Sequence, residues 1–275
     1  MSPDDCDALA GLRAAASVMR DADATAAPAE ATADALRAAP AITLLLDYDG
    51  TLVPVAPLPH LAAPDSDVHE LLAALNARPG MDLHIVSGRL RGTLDKWFGD
   101  LPISLWAEHG FWHRPRGRRT WRSEMPPSPD WTSPVRPLLE QFTAETPGSF
   151  IEEKTVSLAW HYRLAAHGSG PERARQLRDR LLPFEESHGL EVIDGRKVVE
   201  VRVRGVSKAA VARYLCRTGT SHPIVAIGDD RTDEDLFAAL PDTAITIAVG
   251  TRPSRARFRL ADSAGVRAWL RQLVP

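Results

Sequence analysis

Short apolar runs and amphipathic segments alternate along the chain from residue 41 onward. The run 41–46 is almost continuously apolar, as expected of a strand buried on both faces of a parallel sheet. Further patterns follow at 67–77 (helix), 81–86 (strand), 90–98 (helix), 103–107 (strand), 223–227 (strand) and 244–249 (strand). Because strands and helices alternate, the sequence predicts an α/β fold with a doubly wound, mainly parallel sheet.

The pattern changes at about residue 114. Polar and apolar residues alternate over 155–163, which is typical of a strand with one solvated face. The other elements expected here are helices near 135–145 and 171–182 and strands near 190–194 and 197–203. They predict a small α+β domain, residues 114–204, inserted into a core formed by 41–113 and 205–275.

The first 40 residues are rich in alanine and are interpreted as a helical extension that precedes the core. A local basic run at 114–122 is interpreted as a solvated hairpin, with an anion-binding patch as the alternative. The whole chain has 275 residues and a net charge of −3 at pH 7. No global basic field therefore indicates binding to nucleic acid or to a membrane surface.

Cysteine content and targeting signals limit the compartment. Cys6 and Cys216 are too few for a disulfide framework, and their spacing does not suggest a zinc site. The sequence contains no recognisable secretory signal and no apolar segment long enough to span a bilayer. We therefore expect a cytoplasmic monomer whose partner is a small molecule, with no membrane or nucleic acid bound.

Two carboxylates follow the first core strand directly, in the segment Asp47-Tyr48-Asp49-Gly50-Thr51. In open α/β sheets ligands collect outside the carboxyl ends of the strands, so acids placed there are expected to meet a ligand. Gly50 allows the chain to turn sharply and to bring backbone N–H groups close to an anion. The segment predicts a site for phosphoryl transfer, and an ordinary Asp-Gly turn is the alternative.

Two further segments indicate anion binding. Ser87-Gly88-Arg89 follows a core strand, where the serine suits both a helix cap and an anion site. Lys208 opens a predicted helix, where it opposes the helix dipole unless an anion lies beside it.

The segment 228–237 is strongly acidic and follows the predicted strand near 223–227. Thr232 and Asp235 have the spacing of a capping box, which explains part of the acidity. Asp229 and Asp230 precede that helix at a strand end, where they are expected to share a divalent cation with the acids at 47–49. Oxygen ligands of this kind suit Mg²⁺.

Taken in order, these segments resemble the motifs of phosphatases of the haloacid dehalogenase (HAD) superfamily. The matching segments are Asp47-x-Asp49-Gly-Thr, Ser87-Gly-Arg89, Lys208 and Gly228-Asp-Asp-x-Thr-Asp-Glu-Asp-Leu-Phe. Within the superfamily, the inserted α+β domain and the long acidic motif resemble the trehalose-6-phosphate phosphatase family. So do the segments Ala107-Glu-His-Gly110, Glu152-x-Lys154, His161-Tyr-Arg163 and Val198-Val-Glu-Val-Arg202. The resemblance covers about residues 41–275 and implies a Rossmann-like HAD core with an inserted α+β cap.

The resemblance also implies roles for individual residues. The catalytic residues would be Asp47 as nucleophile, Asp49 as general acid and base, and Ser87 and Lys208 as ligands of the phosphoryl oxygens. A Mg²⁺ ion would be held by Asp47, the Asp49 backbone carbonyl, Asp229 and, in an auxiliary place, Asp230 and Asp233. The substrate-binding residues would be Gly50, Thr51, Gly88, Arg89, His109, Glu152, Lys154, Arg163 and Glu200. Val203 and Ala209 depart from the family pattern, which commonly has Pro and a second Gly around Lys208.

The position of Glu152 and Lys154 poses a local problem. If one strand ran unbroken through this region, both charges would lie on the same side as Val156, Leu158 and Trp160. A hairpin tip near 153–155 avoids burial of those charges, and an ordinary solvated turn is the alternative to a sugar-binding role.

The expected function is Mg²⁺-dependent hydrolysis of trehalose 6-phosphate through an aspartyl-phosphate. One alternative is a phosphatase for another sugar phosphate, such as sucrose phosphate or glucosylglycerol phosphate, with the same motifs and a different cap. A non-catalytic sugar-phosphate sensor is a second alternative.

Overall fold

The computed structural model describes residues 27–123, 130–165, 169–195, 197–220 and 222–274. Most of the predicted amino-terminal extension lies outside these residues, and the described part of it contains one helix, Glu30–Ala38. In the described residues no helix combines the length and the apolar character that crossing a bilayer requires.

The strands alternate with helices through most of the chain. In chain order the strands are β1 (Ala27–Pro28), β2 (Ile42–Leu46), β3 (Met81–Val86), β4 (Ser104–Ala107), β5 (Trp112–Arg114), β6 (Arg122–Ser123), β7 (Phe150–Glu153), β8 (Ser157–His161), β9 (Leu190–Gly195), β10 (Val198–Val203), β11 (Ile224–Gly228), β12 (Ile245–Val249) and β13 (Phe258–Leu260). The α-helices are α1 (Glu30–Ala38), α2 (Ser66–Ala77), α3 (Arg91–Phe98), α4 (Arg136–Ala144), α5 (Ser169–Leu181), α6 (Pro183–Ser187), α7 (Ala209–Thr218), α8 (Arg231–Ala239) and α9 (Ser263–Arg271).

The chain divides into two compact units. The first contains the residues up to Arg122 and those from Lys208 onward, and the second contains Ser123–Ser207. The pattern change predicted boundaries at 113/114 and 204/205, somewhat earlier on both sides. The first difference arises because β5 and β6 continue the sheet of the first unit, so the basic run between them belongs to that sheet's edge.

The first unit is built on a sheet with the strand order β1-β13-β12-β11-β2-β3-β4-β5-β6. Neighbouring strands from β1 to β4 run parallel, and β5 is antiparallel to β4. Every residue of β2 is buried, since Leu44 and Leu46 pack into the core on one face and Leu45 into the core on the other. The prediction of a doubly wound, mainly parallel α/β sheet is confirmed.

The second unit contains the antiparallel sheet β7-β8-β10-β9. One face of this sheet packs against α4 and α5, with Leu158, Trp160 and Val201 meeting Leu139 and Leu177 in a single core. The alternation seen in the sequence reflects this one-sided burial.

Among the described elements of the first unit, the short strands β1 and β13 and the terminal helix α9 had not been predicted, and β1 joins the sheet from a segment that had been interpreted as helical. In β13 the charged Arg259 stands between Phe258 and Leu260, and three residues are too few to show a period. In α9, Val266, Trp269 and Leu270 do follow the helical spacing, and Asp262 caps the helix. The signal for α9 was therefore present in the sequence.

One histidine of the first unit is buried among aromatic rings. His113 stacks on Trp106 with ring centroids 3.7 Å apart, and Tyr214 lies edge-on to it at 4.6 Å. Burial, followed by the charges of His84 and Arg122, lowers the pKa of His113 to about 3 against the opposing effect of Asp82. His113 is therefore neutral in the folded protein at ordinary pH.

We predict that this histidine weakens the fold as the pH falls. Between its ordinary pKa of about 6.5 and about 3, the unfolded chain binds a proton that the folded chain does not, so stability falls by up to about 1.4 kcal/mol per pH unit. Replacement His113→Phe should reduce the loss of unfolding free energy between pH 7 and 4.5 by about 2–3 kcal/mol. Denaturant titrations at both pH values measure it, with the exposed His188→Phe as control. An unchanged pH dependence in His113→Phe would contradict the prediction.

Candidate active site

The order of the strands brings the chemical motifs to one edge of the first sheet. Strands β11, β2, β3 and β4 are adjacent and parallel, so their carboxyl ends lie side by side. The residues that follow these ends are Asp229 after β11, Asp47 after β2, Ser87 after β3 and Glu108 after β4. Segments that are far apart in sequence thus meet in the place where open α/β sheets bind ligands.

A buried lysine joins two carboxylates at the centre of this edge. Lys208 Nζ donates hydrogen bonds to Asp47 Oδ1 at 2.5 Å and to Asp233 Oδ1 at 2.8 Å. The side chains of Lys208, Asp47 and Asp233 are 2 %, 7 % and 1 % exposed, so water contributes little to their solvation. The charges are therefore compensated mainly by one another.

Asp229 adds a third carboxylate to this group. One oxygen each from Asp47, Asp229 and Asp233 lies within 4.8 Å of the others. Two glycines make room for the cluster, because a Cβ on Gly50 would overlap the Asp229 carboxylate and one on Gly228 would overlap Asp233. Gly50 also has φ +85°, a conformation that favours glycine.

Burial disfavours the ionised forms of Asp47 and Asp229. Burial raises the pKa of Asp47 well above its usual value and outweighs the opposing effect of Lys208, with Asp233 and Asp229 raising it further. Burial, followed by the charges of Asp233 and Asp230, raises the pKa of Asp229 to about 7. For Lys208 burial acts to lower the pKa, but the carboxylates of Asp233 and Asp47 raise it above the ordinary value. Lys208 is therefore a permanent cation here.

The cluster fits a divalent cation. Three ionised carboxylates and one ammonium would leave two negative charges without a counterion. Asp229 Oδ1 is buried and has no hydrogen-bond partner among the described residues, although a buried carboxylate oxygen without a partner is costly. Carboxylate oxygens are also the ligands that hard divalent cations bind.

The predicted ligand Asp230 has other partners. Its carboxylate caps α8, accepting a hydrogen bond from the Arg231 N–H at 2.7 Å, and it pairs with Arg252 at 2.8 Å. Asp230 and Asp233 together form the capping box, two residues before the one expected from Thr232 and Asp235. The third carboxylate of the cluster is thus Asp233, for which the sequence had indicated only an auxiliary place.

The Ser87-Gly88-Arg89 segment is bound to the segment that follows β4. His109 N–H donates to Ser87 O and Glu108 N–H donates to Arg89 O, both at 3.0 Å. The His109 ring lies against Gly88, where a Cβ would overlap it. Ser87 is buried, and its Oγ accepts a hydrogen bond from the Arg89 N–H at 3.2 Å, which leaves its own hydrogen able to bind an anion.

The turn after β2 is also fixed by its own hydrogen bonds. Gly50 N–H donates to Val53 O at 2.7 Å, so this N–H is not free to bind a phosphoryl oxygen as predicted. Thr51 is fully buried, and its Oγ1 has no hydrogen-bond partner among the described residues. The Asp49 carboxylate does not join the three-carboxylate cluster and is bound by Arg89 at 2.5 and 2.7 Å.

In the second unit, the predicted sugar-binding charges share one face of the sheet. Glu152 pairs with Ala159, and Ala159 pairs with Glu200, so the three lie in line across β7, β8 and β10. Strands β7 and β8 form a hairpin whose tip lies at residues 154–156, so Glu152 points away from the face of Leu158. This is the hairpin that the burial argument had predicted.

Glu200 is the centre of this polar face. It is buried, and its Oε1 accepts hydrogen bonds from Ser157 Oγ at 2.5 Å and from Lys154 Nζ at 3.2 Å. Glu152 Oε2 lies 3.0 Å from His161 Nε2. Ser157 and His161 had not been predicted as site residues, although both lie at the polar positions of the alternating strand.

Arg163 lies in the turn that follows β8 and is partly buried.

Comparison with known proteins identifies the family. The sequence model of the trehalose-phosphatase family matches residues 45–264, most of the chain. The chain belongs to the trehalose-phosphatase family. The resemblance predicted from the motifs is therefore confirmed.

Individual relatives agree with this assignment. A bifunctional trehalose-6-phosphate synthase/phosphatase of Thermoproteus tenax is 43% identical over 232 residues, covering 84% of this chain and 32% of that protein. The chain thus spans about a third of the length of that curated relative. The structure of the C-terminal domain of C. albicans trehalose-6-phosphate phosphatase matches with a TM-score of 0.83 and 27% identity, covering 91% of this chain and 98% of the domain. A haloacid dehalogenase-like hydrolase from Bacteroides thetaiotaomicron, 14% identical, shares the fold with a TM-score of 0.63, covering 85% of this chain and 99% of that one.

We predict that this trehalose-phosphatase family member depends on Lys208 for stability. Replacement Lys208→Gln leaves the buried carboxylates of Asp47 and Asp233 without their cation, and breaking a buried ion pair in this way costs about 3–5 kcal/mol. Denaturant unfolding at neutral pH without divalent cations measures the loss. The exposed Lys96→Gln on α3 is the control and should change stability by less than about 0.5 kcal/mol. A similarly small change in Lys208→Gln would show that the ion pairs of Lys208 with Asp47 and Asp233 do not stabilise the fold.

Proposed function

We propose that this chain is a Mg²⁺-dependent phosphatase that hydrolyses trehalose 6-phosphate to trehalose and phosphate, with Asp47 as the nucleophile. The observation that carries the proposal is the buried Asp47 carboxylate held by Lys208 beside Asp229 and Asp233. A structural ion pair does not require a third carboxylate with a buried oxygen that has no hydrogen-bond partner among the described residues. A centre for phosphoryl transfer does require acidic groups that hold a cation beside the nucleophile.

In the first step an Asp47 oxygen attacks phosphorus, and the bond from phosphorus to the sugar oxygen breaks. Asp49 gives its proton to the departing sugar oxygen, so trehalose leaves as the neutral alcohol. The product on the enzyme is an aspartyl-phosphate, which divides one difficult hydrolysis into two easier reactions.

In the second step a water molecule attacks the phosphorus of the aspartyl-phosphate. Asp49 takes the proton of that water, the bond to the Asp47 oxygen breaks, and phosphate is released. Asp47 and Asp49 are then restored to their initial states, so atoms and protons balance over the cycle.

Lys208 and Ser87 assist through charge and hydrogen bonding. Lys208 is a permanent cation that orients Asp47 and can offset the charge of a phosphoryl group bound beside it. Ser87 Oγ–H is available to donate to a phosphoryl oxygen.

The residues that would hold Mg²⁺ are Asp47, Asp229 and Asp233, with the Asp49 backbone carbonyl as predicted by resemblance. When bound, the ion would offset the negative charge of the nucleophile and the phosphoryl oxygens. Asp230 supports the site indirectly, because it fixes the start of α8 and so the position of Asp233.

We also propose that the polar face of the second unit binds the sugar. Glu152, Lys154 and Glu200 supply charged donors and acceptors, and charge-assisted hydrogen bonds suit a molecule rich in hydroxyl groups. His109 and Arg163 are further candidates for contacts with the substrate.

The proposed place of action is the cytoplasm. Cys216, the cysteine within the described residues, carries an exposed free thiol, in keeping with a reducing compartment.

One prediction of the proposed function concerns the nucleophile. Replacement Asp47→Asn should lower kcat by at least about 1,000-fold because the amide cannot form the aspartyl-phosphate. Phosphate release measures the effect, and the exposed Asp242→Asn is the control. Substantial turnover by a folded Asp47→Asn protein would show that the mechanism is wrong.

Binding of Mg²⁺ can be tested by thermal unfolding, which does not depend on turnover. Mg²⁺ should raise the Tm of the wild type and should have little effect on Asp229→Asn, which loses one carboxylate of the cluster. Full activity in excess EDTA would contradict a Mg²⁺ requirement.

Another prediction of the proposed function concerns the identity of the substrate. Replacement of Glu152, Lys154 or Glu200 by alanine should lower kcat/KM for trehalose 6-phosphate by about 10- to 100-fold, or about 1.4–2.8 kcal/mol. Hydrolysis of a small aryl phosphate should change much less, since it has no sugar. Glu153→Ala is the matched control, because Glu153 lies on the same strand and faces the other way, toward Arg136.

The wild type should also prefer trehalose 6-phosphate over glucose 6-phosphate, because only the disaccharide offers a second ring. Equal efficiency on both, or a higher efficiency on sucrose phosphate or glucosylglycerol phosphate, would favour a different sugar phosphatase. Binding without release of phosphate would favour a sensor.

A further inference from the structure

Each nitrogen of the Arg89 guanidinium group donates a hydrogen bond within the protein. Nε donates to Asp49 Oδ2 at 2.7 Å and Nη2 donates to Asp49 Oδ1 at 2.5 Å, which makes the pair bidentate. Nη1 donates to Pro59 O at 2.6 Å. The guanidinium carbon lies 5.2 Å from the centre of the Trp97 ring, within the range of a cation–π contact.

The backbone on both sides of the Asp49–Arg89 pair is fixed as well. Arg89 N–H donates to Ser87 Oγ, and Arg89 O accepts from Glu108 N–H. Asp49 lies in a turn where Tyr48 O accepts hydrogen bonds from the N–H groups of residues 51, 52 and 53. The pair therefore joins two rigid segments at the carboxyl ends of β2 and β3.

The same guanidinium anchors the proline-rich segment 54–64. Arg89 binds this segment at Pro59, and Tyr48 Oη donates to Ala62 O at 2.6 Å. Tyr48 and Arg89 share Trp97 as a neighbour, since the Tyr48 and Trp97 rings are 5.0 Å apart. Arg89 thus connects the segment after β3, the segment after β2 and the Asp49 carboxylate.

This geometry has a consequence for the role of Arg89. Three of the five guanidinium N–H groups, one on each nitrogen, are used within the protein, so the orientation of the side chain is set by the Asp49 carboxylate and by Pro59 O. A carboxylate has about four lone-pair sites, and the bidentate pair takes one on each oxygen. The remaining sites keep Asp49 able to face the leaving sugar oxygen while its plane is held by Arg89.

We propose that Arg89 is a positioning residue that orients Asp49 toward the leaving oxygen, and not a ligand of the substrate phosphate. The proposal rests on the proposed function, since it concerns the proton donor of that reaction. Its distinctive consequence is that Arg89 matters most for substrates whose leaving oxygen needs a proton. A sugar alkoxide needs one, whereas p-nitrophenolate is stable without it.

The test uses the full chain with Arg89→Lys and Arg89→Gln. Lysine keeps the charge and glutamine does not, but both lack the planar fork that binds the two carboxylate oxygens. Neither variant should therefore hold Asp49 in its orientation. We expect the ratio of kcat on trehalose 6-phosphate to kcat on p-nitrophenyl phosphate to fall by about 10- to 100-fold, within the range that positioned general acids supply. KM for both substrates and inhibition by inorganic phosphate should change by less than about 3-fold.

Arg91→Lys and Arg91→Gln are the matched controls. Arg91 lies two residues further along, is exposed, and stacks its guanidinium on Trp112 at 4.2 Å. These variants should leave the kcat ratio unchanged. Thermal unfolding of all variants shows whether loss of the Pro59 contact reduces the amount of folded protein, which would affect both substrates equally.

Two results would overturn the proposal. Equal losses of kcat on both substrates would mean that Arg89 has no special relation to the leaving group. A rise in KM and weaker inhibition by inorganic phosphate, at unchanged kcat, would make Arg89 a ligand of the phosphate. Failure of the proposed function has a different signature, because the wild type itself would then prefer another sugar phosphate, and the kcat ratio is measured on that substrate.

Discussion

The buried ammonium of Lys208 between Asp47 and Asp233 is the interaction on which the rest of the site depends. Taking three charges out of water is costly, and the arrangement persists because each charge has a close partner of opposite sign. The same ammonium does not hydrogen-bond to the buried Asp229 Oδ1, which has no partner among the described residues. The excess negative charge that results is what makes the cluster suited to a divalent cation.

Chain topology determines where this interaction can form. The parallel order β11-β2-β3-β4 aligns the strand ends, and Gly50 and Gly228 then allow carboxylates to approach the backbone without a Cβ in the way. The capping box of α8 adds a second constraint, because Asp233 bonds to the Asp230 N–H with one oxygen and to Lys208 with the other. A helix cap and a charge cluster thus share one side chain, and a change to either alters both.

Sequence patterns predicted most of the fold and the centre of the site for identifiable reasons. The strand before Asp47 is apolar on both faces, and the alternation around Trp160 reflects one-sided burial, so both periods were legible. The different roles of Asp230 and Asp233 could not be predicted, because both are acids at the start of one helix. Only the structure shows that Asp230 faces Arg252 and that Asp233 faces Lys208. The partner of Arg89 was likewise hidden, since Asp49 is 40 residues away in sequence and only the pairing of β2 with β3 brings them together.

The segment after β4 shows how the site works against the stability of the fold that carries it. Glu108 and His109 both have positive φ, at 49° and 56°, a conformation that costs non-glycine residues about 1–2 kcal/mol each. Two backbone hydrogen bonds to the Ser87–Arg89 segment offset part of that cost and place the His109 ring against Gly88. Together with the buried carboxylates of Asp47 and Asp233, this strain has to be offset by apolar burial on both faces of the first sheet. A reactive edge of strained backbone and buried charge can be sustained because the strands beneath it are packed on both sides.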